Sequence, residues 1–293
     1  MASHKSLQDQ DLWRMRTQIY SHMLATRGWK YRSFLRFLRL FKYISFAPKR
    51  GSFLELYYVL MRFLDDVVDG DAPLPEGYET PREYLEEKIA FSQSLSSPRD
   101  AIDHLMLHCF ELAKGFGAEF GQETGDILNS LLFDAKRRGT WQVFPETVLR
   151  EHFHQMDIRG TIRATLKIFR DDPSKYPVLE PLGLACRYQY DIEDIASDLS
   201  EGYVNICREE IEALGIGPEE LRDPASPGVQ RWLRKHALEG MQLLGEHHKQ
   251  VRSGNFSRLA RATFPLVYAW PARRVFCATL NQAHTMPNPG KSP

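Results

Sequence analysis

The stretch YYVLMRFLDDVVDGD, residues 57–71, places Asp65, Asp66, Asp69 and Asp71 directly after an apolar run. On a helix Asp65 and Asp69 are four residues apart and share a face, with Phe63, Leu64, Val67 and Val68 filling in around them. Carboxylates set in such a frame point into protein. Two like charges about 5 Å apart at an effective dielectric of about 20 repel by roughly 3 kcal/mol, before any desolvation cost. A positive partner is required between them.

A second acidic run, YQYDIEDIASDLSEG at residues 188–202, carries Asp191, Asp194, Asp198 and Glu201 at spacings of three, four and three, which is one helical stripe. One such stripe is ordinarily a solvated face. Two, each after an apolar segment and each read as free of the i,i+4 lysines and arginines of a surface helix, are better explained together. If the two helices face each other across a bundle, their carboxylates line one cavity. Hard oxygen donors at that density suit Mg²⁺, which takes a few carboxylates and completes its octahedron with water and substrate phosphates. Diphosphate is the guest that fits. Magnesium also stabilises the charge that builds on a departing diphosphate, so the same arrangement could ionise an allylic substrate.

The 293 residues and a hydrophobic fraction of 43% support a sizeable core. Lys plus Arg and Asp plus Glu both total 38, which gives no global field to attract nucleic acid or an anionic membrane as the main partner. Cys109, Cys186, Cys207 and Cys277 are scattered and form no CxxC pair, pointing to a reducing cytoplasm. The start, MASHKSLQDQDLWRMRTQ, lacks a signal-peptide core, and FPLVYAWPA is too short to span a bilayer. A soluble protein is expected, with loose membrane association if its product is a lipid.

Prolines fall mostly between segments of helical spacing, and no strand pattern stands out. About ten helices are expected, the clearest at 50–70, 99–115, 118–138, 146–170, 179–200, 226–252 and 256–282. With no repeat or long linker, residues 1–293 read as one all-α domain, with 1–25 and 284–293 peripheral.

These motifs resemble those of the squalene/phytoene synthase family, over most of the chain. YVLMRFLDDVVD is similar to the family's Tyr-x-x-x-Arg-x-x-Asp-x-x-x-Asp, with Tyr58, Arg62, Asp65 and Asp69 in register. YRSF resembles its Ser-x-Ser-Phe segment, DIASDLSEGYVNI fits Asp-x-x-x-Asp with Asp194 and Asp198, and FDAKRRG near Asp134 resembles a further segment. The resemblance implies a helical bundle of isoprenoid synthase type, its central cavity lined by two Asp-rich helices. It implies Mg²⁺ on Asp65, Asp69, Asp194 and Asp198, and an isoprenyl diphosphate donor held by Arg32, Ser33, Arg62 and Arg208. Tyr58 and Arg62 would belong to the catalytic machinery.

The departures concern the acceptor. Where the family has a tyrosine followed by Val-Ala-Gly-x-Val-Gly, this chain reads HQMDIRGTIR, which puts His154 at the tyrosine and Arg159 and Arg163 at small-residue positions. Two guanidiniums would shorten a cavity built for isoprenoid tails or contact a new acceptor. The Asn-x-x-Arg before the second Asp pair is here Tyr190 and Glu193, so a neutral ligand and a cation are lost. The expectation is prenyl transfer to a non-isoprenoid, for example aromatic, small-molecule acceptor, with His154 as base. Head-to-head coupling of two isoprenyl diphosphates is the alternative, then terpene cyclisation, then a helical assembly factor without catalysis.

Other groups have plainer explanations. His104 and His108 flank a zinc-like spacing beside Asp103 but lack a third ligand. Arg137 and Arg138 read as a helix-end charge cluster. Phe256, Phe264, Tyr268 and Trp270 read as core before they read as an aromatic wall around a cation.

Overall fold

The computed structural model describes residues 17, 19–21, 25, 28–44 and 47–285. The termini expected to be peripheral lie largely outside them. Every regular element among the described residues is helical. The chain divides into two compact units, Met1–Lys136 and Arg137–Pro293.

In the first unit α1 (Gly28–Ile44) packs on α2 (Pro48–Val68), which packs on α4 (Ala101–Lys114) and α3 (Pro81–Ser94); α5 (Gly121–Arg137) ends the unit. Prolines mark helix starts here because a first-turn residue needs no amide proton: Pro48 and Pro81 occupy the first turns of α2 and α3. The α2 face opposite Arg62 is apolar and fully buried at Phe53, Leu60 and Leu64, and Val59 beside it is fully buried as well. Phe53 stacks on Tyr57 and Phe120, with ring centroids 5.0 and 4.2 Å away, and the Tyr57 hydroxyl lies 3.0 Å from Thr124 Oγ1. These contacts hold α2, and with it the first acidic motif, against the start of α5.

The helix α3 was not among the clearest sequence runs, and its anchor is a fully buried lysine. Lys88 Nζ sits 2.7 Å from Asp103 Oδ1 and 2.7 Å from Asp100 Oδ2, over the Tyr84 ring. Asp103 also accepts the Arg99 amide, while Asp100 caps α4 by accepting the Asp103 amide. Asp103 is thus committed to a buried ion pair, and His104 on the same turn is exposed.

The second unit holds a helix interrupted by a wider turn: α6 (Glu146–Phe153), a π-helical stretch (His154–Ile162) and α7 (Arg163–Ile168) replace the single helix expected over 146–170. Then come α8 (Glu180–Ser200), α9 (Arg208–Leu214), α10 (Pro227–Ser253), α11 (Arg258–Thr263), a second π stretch (Phe264–Ala269) and α12 (Trp270–Thr285). Pro265 accounts for the second interruption, since it lacks an amide donor and its ring crowds the preceding turn. The π geometry lets the helix continue through it. Central α10 packs on α8 and α12. The approach to α12 is so close at Gly240 that an added Cβ would lie 2.3 Å from the Phe276 ring.

Ile195, Leu199, Val204, Ile206, Val229, Trp232 and Leu233 form one apolar cluster behind the acidic face of α8. Beside it His236 stacks between Tyr188 and Trp232, with ring centroids 4.1 and 4.0 Å away, and burial pushes its imidazole down to about 4. No helix among the described residues is long and apolar enough to cross a membrane.

Two outcomes follow for stability. Lys88→Ala strands Asp103 in the interior and should cost about 3–5 kcal/mol in urea unfolding, because an unpaired buried charge remains; a loss under about 1 kcal/mol would show that the pair is inessential. His236 binds its proton more weakly folded than unfolded, so the unfolded state takes up more protons between about pH 6.5 and 4. Stability is intact above that window and declines as pH falls through it, and the decline should flatten in His236→Phe.

Candidate functional site

The first acidic motif brings its own cation. Arg62 Nη1 lies 2.6 Å from Asp65 Oδ2 and its Nε donates to Asp66 Oδ1 at 2.9 Å, spanning i,i+3 and i,i+4 on α2. The buried member is Asp66, which is fully enclosed, while Asp65 stays half-buried. Asp69 caps the helix, its amide donating to the Asp65 carbonyl at 2.9 Å, and the Ala72 amide folds back onto the Asp66 carbonyl at 2.9 Å. Tyr58, one turn before Arg62, is half-buried and meets Phe34 edge-on with centroids 4.8 Å apart. Ser33 is half-buried on α1, and the Arg32 side chain lies outside the described residues.

The second motif is organised the same way, around a residue that the sequence analysis passed over. Arg187, four before Asp191, donates to Asp191 Oδ1 through Nε at 2.9 Å and Nη2 at 2.5 Å. Burial works against the guanidinium charge, yet Asp191 and Asp157 more than compensate and hold its pKa above the usual value. The fully buried Asp191 and half-buried Asp198 are joined by Asn205, whose Nδ2 donates to Asp191 Oδ1 at 3.2 Å and Asp198 Oδ2 at 2.9 Å. Burial, with Asp191 and Asp194 as neighbouring charges, pushes the Asp198 carboxyl up to about 7 against the opposing pull of Arg187 and Arg137. Asp194 itself is exposed.

Arg137 is part of this group and not a solvated helix end. It is 5% exposed, lies over the Tyr203 ring and donates to the Val204 carbonyl at 3.4 Å. Two glycines make the approach possible. Gly139 and Gly202 both have positive φ, the Gly139 amide bonds the Glu201 carbonyl at 2.8 Å, and a Cβ on Gly202 would meet Gly139 Cα at 2.7 Å. Arg138 bonds Glu201 alongside, at 2.7 Å.

Arg159 and Arg163, four residues apart, take different partners. Arg159 pairs with Glu151 on α6, whereas Arg163 is buried beneath the Tyr176 ring, 5.6 Å from its centroid. They therefore do not act as one pair of guanidiniums. His154 Nε2 lies 2.9 Å from Glu180 Oε1 at the start of α8. Tyr190 and Glu193 are exposed, and Arg208 is exposed with its amide on the Phe144 carbonyl at 2.9 Å. Phe256 and Phe264 are core, whereas Trp270 is on the surface.

Among the described residues no three His, Cys, Asp or Glu side chains are already clustered to hold a metal ion. The donors nevertheless fit a hard divalent cation, because Asp194 and Asp198 are oxygen donors four apart on α8 and burial, with the neighbouring charges of Asp191 and Asp194, disfavours the Asp198 anion. Such an ion would complete its shell with water and phosphate oxygen, as Mg²⁺ ordinarily does.

No protein-family model and no curated protein matches the chain. Among solved structures it is similar to squalene synthase HpnC from Alicyclobacillus acidocaldarius, with a TM-score of 0.68 and 15% identity over 95% of this chain and 96% of that one. It is also similar to a dehydrosqualene synthase in complex with ligand, with a TM-score of 0.57 and 12% identity over 96% and 99%. The chain has the squalene synthase-like fold. At such low identity the likeness speaks for architecture, and the chemistry rests on this chain's own side chains. The expected loss of a cation and a neutral group at Glu193 and Tyr190 is offset by Arg187 and Asn205. A helical i,i+4 pairing rule applied to Arg187 and Asp191 would have found the first; nothing in the spacing points to Asn205, which reaches the acidic face from the loop after α8.

Asn205→Leu removes the amide that bonds both carboxylates and should destabilise the metal-free protein by about 1–3 kcal/mol in urea unfolding. An unchanged midpoint would mean that Asn205 is incidental to holding Asp191 and Asp198.

Proposed function

We propose that this chain is a Mg²⁺-dependent prenyltransferase that ionises an isoprenyl diphosphate and couples it head to head with a second one. The observation that carries the proposal is the presence of both Asp-rich helices, each with a built-in arginine, in a fold shared along nearly its whole length with two enzymes of the squalene-synthase type. The expected lean toward a non-isoprenoid acceptor gains no support from those neighbours.

Asp65 and Asp69 at the end of α2 would hold magnesium, and Asp194 and Asp198 on α8 would do so as well. When bound, the metal supplies compensation for the charge growing on the departing diphosphate. Arg62 holds Asp65 and Asp66 in fixed rotamers, and Arg187 with Asn205 does the same for Asp191 and Asp198, so the oxygens need little reorganisation on binding. The carbon–oxygen bond of the donor breaks with its electron pair leaving on diphosphate, π electrons of the second substrate form the new carbon–carbon bond, and a proton is lost. His154, beside Glu180, is the candidate to hold that proton.

Transfer to a non-isoprenoid acceptor is the second reading. It is favoured by the buried Arg163, which stands where the family resemblance expects a small residue.

Dimethylallyl, geranyl, farnesyl and geranylgeranyl diphosphates, each supplied alone with Mg²⁺, separate the readings by mass spectrometry of the products. A coupled product of two identical donors supports the proposal. Slow release of prenyl alcohol alone, abolished in Asp65→Ala, would instead support a missing acceptor, and a cyclic monomeric hydrocarbon would assign cyclisation. Absence of diphosphate release from all four would reject catalysis of this kind. Asp65→Ala and Asp198→Ala should each lower release by about 100-fold or more.

A further inference from the structure

The C-terminal part of the chain departs from the charge balance of the rest. After Glu246 no acidic residue occurs, while Arg252, Arg258, Arg261, Arg273 and Arg274 follow before residue 285. The run α11, π stretch and α12 presents one exposed ridge at four-residue steps: Arg258, Ala262, Leu266, Trp270 and Arg274. Leu266 is 70% and Trp270 56% exposed, although each belongs to a residue type that is ordinarily buried. Arg261 and Arg273 are exposed beside them, and Arg274 lies over the Trp270 ring, 5.0 Å from its centroid. No ion pair to Arg258, Arg261, Arg273 or Arg274 is present among the described residues, in keeping with the lack of acids nearby in sequence.

From this geometry we propose that the ridge is a docking face for an anionic lipid bilayer. Leucine and tryptophan insert at the boundary between headgroups and acyl chains, where an indole is at home, and the flanking guanidiniums meet lipid phosphates. The opposite face of the same run is anchored: Ala260, Phe264 and Phe276 are fully buried, so the ridge is held rigid from behind. Pro265 contributes by forcing the π turn that carries Leu266 and Trp270 outward in register. The proposal is independent of the reaction assigned above. It gives a residue-level form to a membrane association that the overall charge balance does not favour.

Co-sedimentation of the full chain with vesicles of mixed phosphatidylglycerol and phosphatidylcholine, against vesicles of phosphatidylcholine alone, is the test. Binding is expected to the mixed vesicles and to weaken as salt is raised. Leu266→Ser with Trp270→Ser should weaken it about tenfold or more, and each of Arg258→Gln, Arg261→Gln, Arg273→Gln and Arg274→Gln about fivefold. Circular dichroism confirms that these surface variants are folded. Failure to sediment with mixed vesicles, or sedimentation that the serine pair leaves unchanged, would overturn the proposal. A dimer in sedimentation velocity that the serine pair dissolves, with no vesicle binding, would reassign the ridge to self-association.

Discussion

Two buried carboxylates, Asp66 and Asp191, set the terms for the rest of the acidic helices. Removing a carboxylate from water costs several kcal/mol unless a cation and hydrogen bonds answer it. Both helices solve the problem locally, with an arginine one turn earlier: Arg62 for Asp66 and Arg187 for Asp191. The helix supplies the distance, because side chains at i and i+4 lie one above the other. With the buried carboxylate answered in this way, its neighbours Asp65 and Asp198 stay only half-buried, at the edge of solvent, where a cation from outside can reach them.

The two motifs are alike in plan and unlike in balance. Around Asp198, burial together with the carboxylates Asp191 and Asp194 acts against Arg187 and Arg137, and the net effect raises its pKa to about 7. Asn205 moderates the conflict by donating to both carboxylates without adding charge. A second lysine or arginine in its place would satisfy the carboxylates so fully that a magnesium ion would gain little. The neutral amide keeps the pair together and leaves the electrostatic deficit in place.

The helical class, most element positions and the acidic stripes were legible in the sequence because they rest on local periodicity. Asp65, Asp69, Asp194 and Asp198 could be placed on helices from spacing alone. The error lay in treating the acidic stripes as free of nearby arginines: Arg62 and Arg187 are both within one turn, N-terminal to the carboxylates they serve. Less accessible were contacts made across chain distance. Lys88 looks like an ordinary surface lysine until α4 brings Asp100 and Asp103 around it, and Arg137 looks like a helix end until the paired glycines at 139 and 202 draw the loop after α8 over it. Nor does periodicity reveal which partners neighbouring arginines take. Arg159 and Arg163 are four apart, yet one pairs with Glu151 and the other lies beneath Tyr176.

That difference in partners bears on the proposed acceptor more than the substitutions themselves do. Two guanidiniums side by side would have closed an apolar cavity and required an anionic or polar occupant. Instead Arg159 pairs with Glu151, and Arg163 is buried beneath the Tyr176 ring, so the two guanidiniums have different surroundings. A guanidinium stacked on a ring presents a largely apolar outer surface to whatever lies beyond it, since the ring face covers the charge. The same two substitutions that argue in sequence for a polar acceptor are, with these different partners, compatible with the isoprenoid one proposed above.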